Sequence, residues 1–421
     1  MIGTVDVAAV QRRTLAVVIA SQVLGGAGLS AGVAVGALLA REMLGSEAMS
    51  GLPAAMFTLG SAGAAFGVGR IAQHSGRRVS LAVGFGAGAL GAVGIVVAAA
   101  LGNVPLLFAS LLVYGSGTAT NLQARYAGTD LAAPDRRGRA ISVSLAATTL
   151  GAVAGPNLLT PTGAFAEAIG LPRLAGPFLL AAVAYGAAGL IFFLLLRPDP
   201  FLLARDVAAR AAAADPEGGA AGSVPGGGAT APRTALYIGA AVMVTAQIVM
   251  TGVMTMTPVH MVDLGRGLTA VGVVIGLHVA AMFLPSLVTG PLVDRVGRGP
   301  MAVGAVVLLV AAALLAAWAP HDGLGWLTVA LILLGLGWNL GLISGTALVV
   351  DATSAPERPS VQGAIDVLIA LAGAGAGALA GVIMSVFGFD VVGYVGAVIA
   401  VLLLPVLAML RRAGGLGKVA V

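Results

Sequence analysis

Gly290-Pro291-Leu292-Val293-Asp294-Arg295-Val296-Gly297-Arg298 follows a long apolar run and sets one acid and two arginines on a short turn closed by glycine. Only 9% of the 421 residues are charged, against roughly 25% in an ordinary soluble domain, so charge gathered between two apolar runs marks a membrane surface. A weaker copy, Gly69-Arg70-Ile71-Ala72-Gln73-His74-Ser75-Gly76-Arg77-Arg78, lies 221 positions earlier. The chain therefore divides into two related halves.

Working outward, the composition excludes a soluble globule. A mean hydropathy of +1.03 and 59% hydrophobic residues exceed what a core of this size can hide. Apolar runs long enough to cross about 30 Å of hydrocarbon as helices fall near 15–40, 50–69, 79–101, 104–124, 140–160, 174–196, 235–258, 268–291, 301–319, 324–349, 361–386 and 390–410. The fold expected is an all-α integral membrane protein of about twelve transmembrane helices in two pseudo-symmetric six-helix halves. Many of the 63 glycines sit inside these runs, where they let helix backbones approach closely in lipid. With no cysteine, disulfides and thiolate-held metals are excluded.

Charge sets the orientation. With the N-terminus in the cytoplasm, 19 of the 22 basic residues fall on the cytoplasmic side and only Arg41, Arg173 and Arg266 fall outside. The positive-inside rule thus puts both termini in the cytoplasm. Topology explains the basic balance, so nucleic acid is not an expected partner. The first span lacks a small-residue cleavage pattern and reads as a retained span. Residues 197–233 form a cytoplasmic linker: 201–214 as a surface helix with Phe201, Leu202 and Leu203 toward lipid, then a Gly/Pro/Ala-rich flexible run. The domains expected are residues 1–196, the linker 197–233, and residues 234–421. Asp130 and Asp351 repeat at the offset of 221, and Pro134-Asp135-Arg136 matches Pro356-Glu357-Arg358 at 222. Gly151 and Gly155 match Gly373 and Gly377, again at 222. Duplicated halves around a midplane site are a common build for a secondary transporter.

These motifs resemble the major facilitator superfamily, whose signature between spans 2 and 3, repeated between spans 8 and 9, has the form G-x-[small/apolar]₂-D-R-x-G-R-[RK]. Residues 290–298 follow it through Gly290, Asp294, Arg295, Gly297 and Arg298; the first copy keeps Gly69, Gly76, Arg77 and Arg78 but has Gln73 in place of the acid. Gly151-Ala152-Val153-Ala154-Gly155-Pro156 in span 5 is similar to the Gly-x₃-Gly-Pro pattern of the drug:proton antiporter branch. The double glycine that usually follows is absent, and Leu111 stands where that branch generally has an arginine.

Physically, Asp294 can accept charge-assisted hydrogen bonds from an arginine or from a helix start and latch the cytoplasmic side; the alternative is a loop that only retains positive charge. Asp130 with Arg136, and Asp351 with Arg358, are candidates for matching contacts or for solvated charge. Gly151, Gly155 and Pro156 allow close packing and a bend. In span 4, Tyr114, Thr118, Asn121 and Arg125 share one helical face, and in span 7 so do Gln247, Thr251, Met254 and Pro258. Such groups avoid lipid, so they line a cavity or bond neighbouring helices. The resemblance implies that spans 1, 4, 7 and 10 line the central cavity, which adds Gln22, Trp338 and Asn339.

For proton coupling the titratable candidates within spans are His278 and Asp366; the alternatives are a neutral hydrogen-bonded histidine and an aspartate paired with an arginine of the cytoplasmic network. No P-loop or metal-ligand spacing occurs, so no enzyme is expected. The expectation is a cofactor-free monomer in a bacterial inner membrane, in contact with lipids, that rocks its halves to carry a small molecule. It is powered by the proton gradient and most readily acts in multidrug-type efflux of largely apolar compounds. A porter for a metabolite or lipid-like molecule, with Arg125 meeting an anionic group, and a non-transporting membrane sensor or assembly partner are the alternatives.

Overall fold

The computed structural model describes residues 6–44, 52–214, 233–266, 268–320 and 323–412; the glycine-rich part of the linker lies outside them. Among the described residues there are α-helices and short 3-10 turns and no strands. Nine helices among the described residues are long and apolar enough to cross a membrane by length and composition. One of them, Met56–Leu101, holds two spans in its 46 residues. Spans 4 and 5, at Val104–Ala127 (α3) and Arg137–Asn157 (α4), fall outside the nine. Their sequences hold Asn121, Gln123, Arg125, Ser142, Ser144 and Thr148, all buried, so their deficit in hydropathy is interior polarity. Counted this way the described residues hold twelve spans.

Two compact units form. The first comprises Met1–Ala132, Val143–Gly227 and Ser354–Ala370; the second comprises Ala133–Ser142, Gly228–Thr353 and Leu371–Val421. The units thus differ from the halves of the chain at two places. The first residues of α4 cluster with the second unit, and the first residues of α13 (Arg358–Phe387) cluster with the first.

In the first unit, α2 (Leu52–Leu101) packs on α3 and on α6 (Gly176–Leu195), and α1 (Val7–Leu44) packs on α6 and α3. Phe85, Tyr114, Phe178, Tyr185 and Phe192 are fully buried at the centre. In the second unit, α12 (Leu324–Ala352) packs on α8 (Arg233–Asp263), α9 (Leu268–Phe283) and α11 (Arg298–Trp318), while α14 (Phe389–Val401) packs on α11 and α8. Large apolar side chains such as Leu90 and Val288 stay exposed, as a lipid-facing surface requires.

The two signature turns reverse the chain on equivalent glycines. Gly76 has φ 83°, ψ 176° and Gly297 has φ 100°, ψ 156°. That region is open essentially to glycine alone. Spans 2 and 3 otherwise run as one continuous assignment through this break, whereas span 8 is split at Leu284 and Pro285 into α9 and α10 (Ser286–Val296). Proline removes a backbone donor and clashes with the preceding turn, which accounts for the split. Span 12 is likewise interrupted at Leu402, before α15 (Leu403–Arg412).

Candidate functional site

Each unit builds one version of a charged contact between the signature turn and an aspartate. In the first, Arg77 Nε donates to Asp130 Oδ2 at 2.8 Å and Nη2 to Oδ1 at 3.4 Å, with both side chains buried. Nη2 also donates to Gln362 Oε1 on α13. In the second, Arg298 Nε donates to Asp351 Oδ2 at 3.0 Å, and Arg137 at the start of α4 donates to the other oxygen of the same carboxylate. Arg77 and Arg298 are 221 positions apart, as are Asp130 and Asp351, so the repeat is a repeat of ion pairs.

The sequence pairing placed Arg136 in this contact. It is instead exposed, reaching only Asp135 at 3.9 Å, and its buried neighbour Arg137 takes the role. The cause is local: Arg136 ends the short 3-10 turn Pro134–Arg136, and one residue further the α-helix begins. Arg295 also points to solvent, while Arg358 is buried. Phe201, expected toward lipid, is buried too, beneath the Arg77 guanidinium at 5.9 Å.

Asp294 closes the second latch. Its carboxylate accepts from the backbone N–H of Gly138 and of Arg139, each at 2.9 Å, at the start of α4. A helix start offers unpaired N–H groups and partial positive charge, so an acid fits there. The approach needs glycine, because a Cβ on Gly138 would lie 2.8 Å from an Asp294 oxygen. In the first unit Gly69 meets α13 similarly, where a Cβ would lie 2.8 Å from the Pro359 carbonyl oxygen and 3.0 Å from the Gly363 Cα. The Pro359 carbonyl lies against Gly69 as the Gly138 carbonyl lies against Gly290. By contact, one residue off the sequence offset of 222, Pro359 therefore takes the place of Gly138, and it has no N–H to give. That explains Gln73: one of the two donors Asp294 uses has no counterpart here.

Deeper in the first unit lies a charge pair with no equivalent among the described residues of the second. Arg125 Nη2 donates to Asp366 Oδ1 at 2.9 Å, with side chains 0% and 2% exposed. Tyr126 Oη also donates to Asp366 Oδ1, at 3.2 Å. Arg125 further donates to the Leu122 carbonyl and stacks on the Tyr126 ring at 4.1 Å. At the positions 221 residues on from Arg125 and Tyr126 the chain has Thr346 and Ala347. A buried ion pair is kept at high desolvation cost and is strongly destabilised by loss of one partner, so its presence sets the first unit apart.

The remaining sequence candidates divide. Gln22 is fully buried and donates to Thr148 Oγ1 at 3.1 Å. Asn121 is buried against α1 at Gly25, where a Cβ would collide with its Nδ2. Thr118 is partly buried. Tyr114 belongs to the aromatic core, its ring 5.5 Å from Tyr185 and 5.6 Å from Phe178, with its hydroxyl donating to the Gly28 carbonyl. In the second unit Trp338 Nε1 donates to Gln247 Oε1 at 2.9 Å, and Gln247 Nε2 donates to Thr251 Oγ1 at 3.0 Å. Met254 is partly buried on the same helix. Asn339 donates to the Met282 carbonyl and to Ser286 Oγ, both at 2.7 Å, and accepts from Thr289 at 2.6 Å. It thereby satisfies the backbone opened by Pro285, a structural clamp on the split of span 8. His278 Nδ1 donates to the Leu331 carbonyl at 2.8 Å and is fully buried. Gly151 packs against α1 at Val23; Gly155 and Pro156 lie along α4, outside the residues whose side-chain surroundings are described.

The described residues thus form an all-helical, twice-repeated arrangement with paired charged turns and polar groups inside its spans. The sequence profile of the Major Facilitator Superfamily matches residues 14–373 and 239–419, and the chain belongs to that family of membrane transporters. It is 53% identical over 95% of its length to the uncharacterized transporter YdeG of Bacillus subtilis (strain 168), covering 92% of that protein. It is 31% identical over 96% of its length to the riboflavin transporter RfnT of Brucella anthropi, covering 97% of it. Among solved structures it resembles the human organic anion transporter MFSD10, with a TM-score of 0.75 at 18% identity, covering 94% of this chain and 99% of that one. The proton:xylose symporter XylE aligns with a TM-score of 0.70 at 15% identity over 96% of each chain.

Proposed function

We propose that the protein is a proton-coupled secondary carrier that exports small, largely apolar organic molecules from a bacterial cell. It works in the inner membrane as a monomer with both termini cytoplasmic, draws on the proton gradient, and uses no bound cofactor. The observation that carries this reading is Asp366, a carboxylate buried within a span and held by Arg125 and Tyr126. An ionised pair in that position is stable only while both partners are charged and in contact. Protonation of Asp366 removes one charge, releases Arg125, and loosens the start of α13 from α3. Breaking the Asp294 contact does the same for the start of α4. Alternate formation and release of the two latches is the switch between access states.

A second reading is uptake of a planar metabolite of the riboflavin type. The 31% identical relative favours it, and so does the set Trp338, Gln247 and Thr251, which joins a flat aromatic face to amide and hydroxyl groups. The test uses purified protein in liposomes under an imposed pH gradient, following a panel of fluorescent lipophilic compounds and riboflavin with and without a protonophore. Asp366→Asn and His278→Ala run beside the parent. The proposal requires dye movement that collapses with the gradient and is lost in Asp366→Asn. Loss in His278→Ala alone moves the proton to His278, and riboflavin moving while the dyes stay still replaces export with the second reading.

A further inference from the structure

The first unit contains eight buried polar atoms without a hydrogen-bond partner among the described residues, and four of them follow one another through contacts between their helices. Gln22 Oε1, Asn121 Nδ2, Gln362 Nε2 and Asp366 Oδ2 are all unpartnered, on side chains of residues no more than 5% exposed. Contacts along the helices order them. Gly25, one turn from Gln22 on α1, abuts the Asn121 amide. Asn121 is one turn before Arg125 on α3, Arg125 holds Asp366, and Gln362 is one turn before Asp366 on α13. Beyond Gln362 the line reaches Arg77 and Asp130 at the latch.

The orientation of two of these amides follows from their other ends. Gln362 Oε1 accepts from Arg77 and leaves the NH₂ free, while Gln22 Nε2 donates to Thr148 and leaves the carbonyl free. The four atoms are thus two donors and two acceptors. Four such groups left dry would cost on the order of 1–3 kcal/mol each, a burden few native interiors carry. Water bridging two to four polar partners removes it.

We infer that this seam between α1, α3 and α13 is a water-filled route by which solvent protons reach Asp366. Gln22 and Asn121 then serve the proton and not the substrate, a refinement that rests on Asp366 being the coupling residue. The ionisable groups facing that carboxylate are Arg125 and Tyr126 from α3, with Arg77 of α2 and Asp130 one contact away through Gln362. The free oxygen Oδ2 is where the proton arrives, leaving Oδ1 on Arg125 and Tyr126.

The chain has no cysteine, so single cysteines report hydration without background. Gln22→Cys, Asn121→Cys and Gln362→Cys, in liposomes, are treated with a small hydrophilic methanethiosulfonate, which needs water to reach and ionise the thiol. Phe85→Cys in the aromatic core and Leu90→Cys on the lipid face are the dry controls. Reaction at the seam at least tenfold faster than at both controls is expected. Asn121 carries the test if Gln362→Cys fails to fold, since its Nδ2 makes no bond to lose. In a second measurement, infrared spectra follow a pH jump, and the carboxyl C=O band missing from Asp366→Asn identifies that residue. Blocking Asn121→Cys with the reagent should slow the appearance of that band at least tenfold. A seam no more reactive than the controls, or an Asp366 band unaffected by the block, overturns the inference and leaves Asp366 as the coupling residue. No Asp366 band at any pH in the parent overturns both.

Discussion

Asp294→Ala is the substitution whose effect follows most directly from the geometry. Its carboxylate accepts two backbone N–H bonds at 2.9 Å from a helix start, with the side chain 6% exposed. Bonds to a charged acceptor are worth about 1.5–3 kcal/mol each, but Arg139 lies at an exposed edge where water replaces part of the loss. The net cost to the latched state is therefore about 2 kcal/mol, or roughly 30-fold in its population relative to the unlatched one. Asp294→Asn keeps an acceptor and loses only the charge, at about 1 kcal/mol and fivefold. Spin labels on Arg136→Cys and Arg295→Cys, both exposed positions of the second unit, give the separation of the two sides by pulsed electron resonance. The latched distance should lose population in the order parent, Asn, Ala. An unchanged distance distribution in Asp294→Ala would refute the idea that this carboxylate holds the start of α4.

Three further outcomes are expected. Arg125→Ala strands the Asp366 carboxylate and should cost about 3–5 kcal/mol; in a thermal-unfolding series, adding Asp366→Asn should recover most of that loss. Asn339→Leu leaves the Met282 carbonyl unsatisfied beside the Pro285 break and should destabilise by roughly 2 kcal/mol, read as a lower melting temperature with the remaining spans intact. Gln73→Asp alone should not strengthen the first latch, because Pro359 offers no N–H. Combined with Pro359→Gly it should, and the same label-distance method applied at the α2 turn decides it.

The sequence carried the architecture because it is written in periodic signals. Apolar run length reports spans, and the offset of 221 links Arg77 with Arg298 and Asp130 with Asp351. Helical spacing also grouped Asn121 with Arg125. It could not say which of the polar residues on such a face meets an open interior and which meets a neighbour. Tyr114 shares the face of Asn121, yet Tyr185 and Phe178 enclose it. Asn339 was grouped with the cavity, but its partners are set by the break that Pro285 makes 54 positions earlier. Arg125 and Asp366 were each visible as charges out of place in a span. Their pairing across 241 residues belongs to helix packing, which leaves no periodic trace. Arg137 was missed for a smaller reason, since a one-residue shift at the start of a helix exchanges the buried side chain for the exposed one.

The assignment of residues 354–370 to the first unit bears on how the protein is made. A ribosome finishes α1 to α6 long before it reaches Gln362 and Asp366. Until then the carboxylate that Arg125 holds in the finished protein has not been made. The first unit cannot complete its interior until more than four-fifths of the chain has been synthesised. A chain cut short before Asp366 therefore ends with its first unit incomplete, even though every residue of the N-terminal half has been made.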